Sequence, residues 1–151
     1  MSNDDDVFGG GEEYDDDALG ALVEQLRAQR DEPQSPDLAE RRARYEQRGA
    51  RLPLPAGWSV TERHLGRPAE HLTGPSAAAK RALLYFHGGG FGFGSLRSHR
   101  ALAAQIGHAA QAEVFTLDYR LAPAHHFPAA LDDAVEAYQR LLSEGRDPQS
   151  V

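Results

Sequence analysis

Fourteen residues constrain this chain more than any others: Ala82-Leu83-Leu84-Tyr85-Phe86-His87-Gly88-Gly89-Gly90-Phe91-Gly92-Phe93-Gly94-Ser95. A short apolar run meets a loop built almost wholly of glycine. Every residue from Ala82 to Phe86 suits a core and none breaks a strand, so the run reads as a buried strand. Glycine has no side chain to hold other atoms away and takes positive φ at little cost. Three in succession let several backbone N–H groups converge on one point, which is how a protein makes a hole for an oxygen anion.

What surrounds that stretch has an α/β rhythm. After the strand, residues 98–110 read as a helix, with Ser95 or Ser98 as cap and Leu102, Ile106 and Ala109 on one face. Glu113 to Tyr119 reads as a strand with an apolar centre. Pro128 opens a further helix, with Leu131, Val135, Tyr138 and Leu142 recurring at i, i+4, i+7 and i+11, and Gly145 ends it. Strand, helix, strand, helix predicts a parallel, doubly wound sheet. Ligands of such sheets bind at the carboxyl ends of the strands. The glycine loop and the Asp118-Tyr119-Arg120 block both fall there.

Upstream, residues 18–49 read as two helices. In the first, Leu19, Leu22, Val23 and Leu26 share a face. The second spans 36–48, capped by Ser35 with Pro36 in its first turn and closed by Gly49. Its apolar face is thin (Leu38, Ala39, Ala43, Tyr45), as suits a helix at the edge of something larger. The turn-rich run Leu52 to Gly57 leads into the sheet domain, residues 50–151. There Trp58 to Leu65 alternates as an edge strand, and Ala69 to Thr73 pairs back on it.

The formal net charge of −7 comes from one place. Residues 1–17 hold eight acids and no Lys or Arg, and read as a disordered acidic tail. The remainder carries fifteen acids against sixteen bases and is close to neutral, which argues against a nucleic-acid-binding face. The absence of cysteine excludes disulfides, thiolate metal sites and a cysteine nucleophile, and fits a reducing cytoplasm. No apolar run approaches the ~18 residues of a membrane span. His125 and His126 are adjacent and have no second ligand cluster, so no metal is expected.

His87-Gly88-Gly89-Gly90-Phe91 resembles the HGGG-type oxyanion motif of α/β-hydrolase lipases and esterases. A second block runs from Asp118-Tyr119-Arg120-Leu121-Ala122-Pro123 to Asp132-Asp133, and the two motifs stand in the right order. Together they resemble the hormone-sensitive-lipase-like (bacterial family IV) esterases over roughly residues 50–151. The resemblance implies an incomplete doubly wound α/β-hydrolase sheet preceded by two cap-like helices, with no cofactor and a small carboxylic ester as substrate. It also implies backbone donors for the oxyanion at Gly89 and Gly90, with His87, Gly88, Asp118 and Arg120 supporting the loops. A salt link between the charges of the Asp118–Arg120 block is the expected support. The family block has an acid where this chain has Ala124 and a proline where it has His126; if that acid anchors Arg120 or a loop, the anchor is lost here.

The nucleophile of this fold sits in G-x-S-x-G between a strand and a helix, followed by the triad acid and histidine. None of the serines lies between glycines at that spacing; Gly94-Ser95 lacks the following glycine. The chain is therefore expected to be the N-terminal portion of a serine carboxylesterase, stopping short of the nucleophile and inactive alone. One alternative is a non-catalytic, truncated relative that binds a partner or itself through an exposed sheet edge. A remoter one is a dinucleotide-binding module, although from Gly90 and Gly92 the third glycine of G-x-G-x-x-G is replaced by Ser95.

Overall fold

The computed structural model describes residues 16–31, 35–75 and 78–151. The acidic tail lies outside the described residues up to position 15. The chain divides into two units between Ser35 and Pro36. The first contains helix α1 (Asp16–Asp31), on which Leu19 and Leu26 are half exposed. All other elements belong to the second unit: α2 (Leu38–Gly49), β1 (Ser59–His64), β2 (Pro68–Thr73), β3 (Ala78–Tyr85), α3 (Leu96–Ala110), β4 (Ala112–Leu117) and α4 (Ala129–Ser143).

The strands form one mixed sheet in the order β1-β2-β4-β3. β1 and β2 are an antiparallel hairpin, with His64 opposite Pro68 and Gly66 in the left-handed region at its turn. β2 runs antiparallel to β4, and β3 and β4 run parallel with Leu83 beside Val114. The β3–α3–β4 crossover is thus the parallel unit that the alternating pattern predicts. Strand β4 is central and buried along its whole length. Its residues alternate between two cores, because side chains of a strand point to opposite faces. Val114 packs with Trp58, Leu72, Ala103 and Ala104 under α3. Phe115 and Leu117 pack with Leu65, Ala82, Ala137 and Leu141 under α4. Two carboxylates in this sheet are buried only as pairs: Glu70 with Arg100, and Glu113 with Arg146 and His71.

The helices use different faces from those the spacing of large apolar residues predicts. On α3, Leu102 and Ile106 are 48% and 39% exposed, while Ala101, Ala103, Ala104 and Gly107 are buried. A Cβ at Gly107 would overlap Val114, so the helix lies close to the sheet through its small residues. On α4 the exposed stripe is Leu131 and Val135, and Asp133, Ala137 and Leu141 face inward. Helix α2 is capped by Asp37, whose Oδ1 accepts from Ala39 N–H at 2.7 Å, rather than by Ser35. Beyond α4 the chain returns along the open side of β3, where Ala82 N–H donates to Ser150 O at 2.8 Å. No helix among the described residues is long and apolar enough to cross a membrane.

Candidate functional site

β3 and β4 end side by side, and the loops that leave them meet. β3 stops at Tyr85, so Phe86 already belongs to the loop and is exposed. Gly89, Gly90, Phe91 and Gly94 all have positive φ, at 122°, 59°, 58° and 93°. A Cβ at Gly89 would overlap the Phe93 carbonyl, and one at Gly94 would overlap His87, whereas a Cβ at Gly90 meets nothing. The loop is therefore wound tightly on itself around Gly89 and Gly94 and open at Gly90.

Several carbonyls of this loop are occupied. Tyr119 Oη donates to His87 O at 2.5 Å. His87 Nδ1 donates to Gly88 O at 2.9 Å, which assigns a proton to Nδ1. Gly92 N–H and Phe93 N–H both donate to Gly89 O, at 3.1 and 3.0 Å, and Ala122 N–H donates to Phe91 O at 2.8 Å. The N–H groups of Gly89 and Gly90 have no acceptor among the described residues. A peptide unit is planar and trans, so fixing its C=O fixes the N–H on its other side. The His87 ring thereby orients Gly89 N–H, and the turn through Phe93 orients Gly90 N–H.

His87 is buried, 5% exposed, between the rings of Tyr119 and His99, with centroids 4.3 and 5.2 Å away. Its Nε2 is buried and has no partner among the described residues. Burial holds the Tyr119 hydroxyl above its ordinary pKa, so it remains a donor at neutral pH. Burial, and then the charge of His87, push His99 down.

The second motif is organised differently from the expected Asp118–Arg120 link. Arg120 pairs with Asp133, the last residue of the block. Its Nη2 and Nε reach Asp133 at 2.7 to 3.0 Å, and its own N–H donates to Oδ2 at 2.9 Å. Asp133 is 3% exposed, and Arg67 stands 3.7 Å away. Burial raises its pKa, but the hydrogen bonds and charge of Arg120, with that of Arg67, outweigh this and leave it lowered. The anchor of Arg120 is therefore present despite Ala124. Asp118 is held by its backbone: its N–H donates to Pro68 O at 2.9 Å, and its carbonyl accepts from Arg67 at 3.4 Å. Burial raises the Asp118 carboxyl, and the nearby charges of His87 and Arg67 offset this only in part.

Between the two loops lies a cavity of about 690 Å³, lined among others by Phe86, His87, Phe91, Tyr119, Phe127 and Leu131. Gly90 and Gly88 border it, as do His125 and His126. Tyr119 and Asp133 were not singled out from the sequence. Both lie inside the Asp118–Asp133 block, and the spacing of Asp133 from Arg120 gives no local sign of their contact.

Known proteins match this region. A family model described as alpha/beta hydrolase fold covers residues 83–151. An acetyl-hydrolase of Streptomyces hygroscopicus is 43% identical over 100 residues, covering 66% of this chain and 32% of that protein. An esterase of Acinetobacter venetianus is 40% identical over 75 residues, covering 50% of this chain and 25% of that one. Among solved structures, an esterase from the bacterial hormone-sensitive lipase family superposes with a TM-score of 0.79 at 36% identity, covering 87% of this chain and 44% of its own. The chain thus spans about a third or less of the length of these sequence relatives, and under half of the solved esterase.

Proposed function

Because this chain belongs to the α/β-hydrolase fold and matches the N-terminal portion of a hormone-sensitive-lipase-like esterase, we propose that it supplies the oxyanion hole of a serine carboxylesterase acting on small carboxylic esters. One observation carries this reading: a loop whose Gly88 and Gly89 carbonyls are tied, with the N–H groups of Gly89 and Gly90 left without acceptors among the described residues beside an apolar cavity. In acyl transfer, a serine oxygen adds to the ester carbonyl carbon, and the π electrons of that carbonyl move onto its oxygen. Gly89 and Gly90 donate to that oxygen. Each such donor is worth about 3–4 kcal/mol in the transition state, because the dipoles are fixed before the charge develops. Phe91, Phe127 and Leu131 offer the apolar wall against which a short acyl or alcohol group rests. His87, Gly88, Asp118 and Arg120 act as loop support, and the protein works in the cytoplasm. With no G-x-S-x-G in its 151 residues, the chain by itself turns over no ester.

Two measurements on the 151-residue chain test this. Titration of the ¹⁵N-labelled protein with dimethyl phosphinate, a tetrahedral monoanion, moves the Gly89 and Gly90 amide protons downfield to saturation. If both stay still, the oxyanion reading falls. With p-nitrophenyl acetate there is no turnover. Turnover blocked one-for-one by an organophosphonate would put the nucleophile within these residues and overturn the second half of the proposal.

A second reading is favoured by the position of β3 at the sheet edge and by the exposed Leu102 and Ile106. In it the chain self-associates edge to edge. A monomeric sedimentation coefficient at about 100 μM, within the range where unpaired strand edges drive association, removes it.

A further inference from the structure

Helix α2 buries none of its residues, yet it lies against the glycine loop and the start of α3. Its contact face is Arg42, Tyr45, Glu46 and Gly49, at i, i+3, i+4 and i+7, the spacing of one helical stripe. The stripe is polar. Glu46 accepts from the hydroxyl of Ser95, the N-cap of α3, at 2.6 Å. Tyr45 packs 6.0 Å from Phe93, and Arg41 lies 4.9 Å over the same ring. Gly49 fits because a Cβ there would overlap the Ser98 backbone. Arg42 reaches furthest: its Nε donates to Gly92 O at 2.8 Å and its Nη2 to Ala122 O at 2.7 Å.

We infer that Arg42 is a positioning residue for the oxyanion loop, setting the Gly90 N–H through two linked peptide units. The relay is read from the bonds. Arg42 fixes the carbonyl of Gly92, and with it the N–H of Phe93 in the same planar unit. Phe93 N–H holds Gly89 O at 3.0 Å, and the Gly89 carbonyl shares its unit with Gly90 N–H. The second arm of the guanidinium holds the Ala122 carbonyl, while Ala122 N–H holds Phe91 O. Two neighbouring residues of the loop, Gly92 directly and Phe91 through Ala122, are thus fastened to one rigid planar fork, a geometry that a single ammonium cannot reproduce. Gly89 N–H is oriented separately, by His87. The two donors therefore have independent supports, one from His87 just after β3 and one from Arg42 on α2. This inference rests on the oxyanion reading of Gly89 and Gly90.

Amide hydrogen exchange on the 151-residue chain tests the brace, and phosphinate titration tests its link to the hole. In Arg42→Ala the Phe93 and Gly92 amides exchange at least tenfold faster, while Val114 and Phe115 in β4 stay within twofold of the parent. In Arg42→Lys, whose single ammonium reaches one of the two carbonyls, the acceleration is about threefold. The phosphinate shift at Gly90 falls by more than half in Arg42→Ala, and that at Gly89 is retained. An unchanged Phe93 rate overturns the proposal, as does an equal rise throughout β4, which would make Arg42 a general stabiliser. Equal loss of shift at both glycines overturns the claim of separate supports. If the parent itself gives no phosphinate shift, the oxyanion reading falls, while the exchange rates still decide whether Arg42 braces the loop.

Discussion

The loops that follow β3 and β4 begin side by side at the same end of a parallel strand pair, and they are opposite kinds of object. The glycine loop ties the carbonyls of His87, Gly88 and Gly89 and leaves the N–H groups of Gly89 and Gly90 open among the described residues. The Arg120–Asp133 corner closes on itself, with four donor contacts converging on one buried carboxylate. The first is shaped to receive a charge it does not contain. The second neutralises its own. Position at the end of a strand is common to both, so position alone does not separate a binding loop from a structural one. What separates them is which polar groups lack partners, since a buried or half-buried polar group without one is costly unless a ligand or solvent meets it.

Substitutions that close the open loop have the largest expected effect. Gly89→Ala places a Cβ into the Phe93 carbonyl at a φ of 122°, a region L-residues rarely enter. Strain and overlap together cost about 3 kcal/mol or more, and the phosphinate response disappears at both glycines. A melting temperature close to that of the parent would mean that the loop yields easily, and the contrast with the closed corner would collapse.

Opening the closed corner comes next. Asp133→Ala leaves Arg120 without its main partner and strips the Arg120 N–H of its acceptor. Breaking a buried pair costs about 3–5 kcal/mol. Arg120 is one-third exposed and regains some hydration, so roughly 2–3 kcal/mol is expected here. At ~2–4 °C per kcal/mol for a chain of this size, the melting temperature drops by about 4–12 °C. The phosphinate response at Gly89 and Gly90 persists in the folded fraction, because no bond of the glycine loop runs to Asp133. Loss of both would make the two regions one cooperative unit.

A smaller effect separates the two glycines of the open loop. Gly90 has φ of 59°, the left-handed region, and a Cβ there touches nothing. Gly90→Ala therefore costs only the intrinsic left-handed penalty, about 1 kcal/mol, and retains the N–H and its phosphinate shift. Destabilisation by thermal melting as great as that of Gly89→Ala would contradict the open space at this position.

Much of this architecture was legible in the chain because its signals are local. The apolar run into His87-Gly88-Gly89-Gly90, the Ser95 cap and the opening of α4 after Pro128 all depend on neighbours within a few residues. The helix faces were not legible. Large apolar residues on α3 and α4 suggested stripes through Leu102 and Leu131, but close packing on the sheet selected Ala103, Ala104, Gly107 and Ala137 instead. Periodicity reports amphipathicity, and it does not say how near a helix must approach. The partner of Arg120 was not legible either. Asp118 is nearer in sequence, but the chain has already left β4 at Leu117, and the crossing of α4 brings Asp133 to the guanidinium. Arg42 was invisible for the same reason: its acceptors are carbonyls 50 and 80 residues away.

The smallest expected effect places the two carboxylates of the second motif in opposition. Asp133 titrates below its ordinary value, so the stability it contributes is present above about pH 4 and is lost as pH falls through its folded value. Asp118 titrates above its ordinary value because burial penalises its charge. Its folded form prefers the proton, so stability falls as pH rises from the unfolded value through the folded one, and stays lower beyond. Asp118→Asn removes that penalty. The variant matches the parent at pH 3, where both side chains are neutral, and is more stable at pH 7 by at most about 1 kcal/mol, since half-exposure screens the charge. Asp133→Ala diverges from the parent in the opposite sense over the same range. Melting temperatures from pH 3 to 7 check both at once. If Asp118→Asn loses stability as pH rises, the carboxylate has a favourable partner, and the corner contains two satisfied acids rather than one satisfied and one strained.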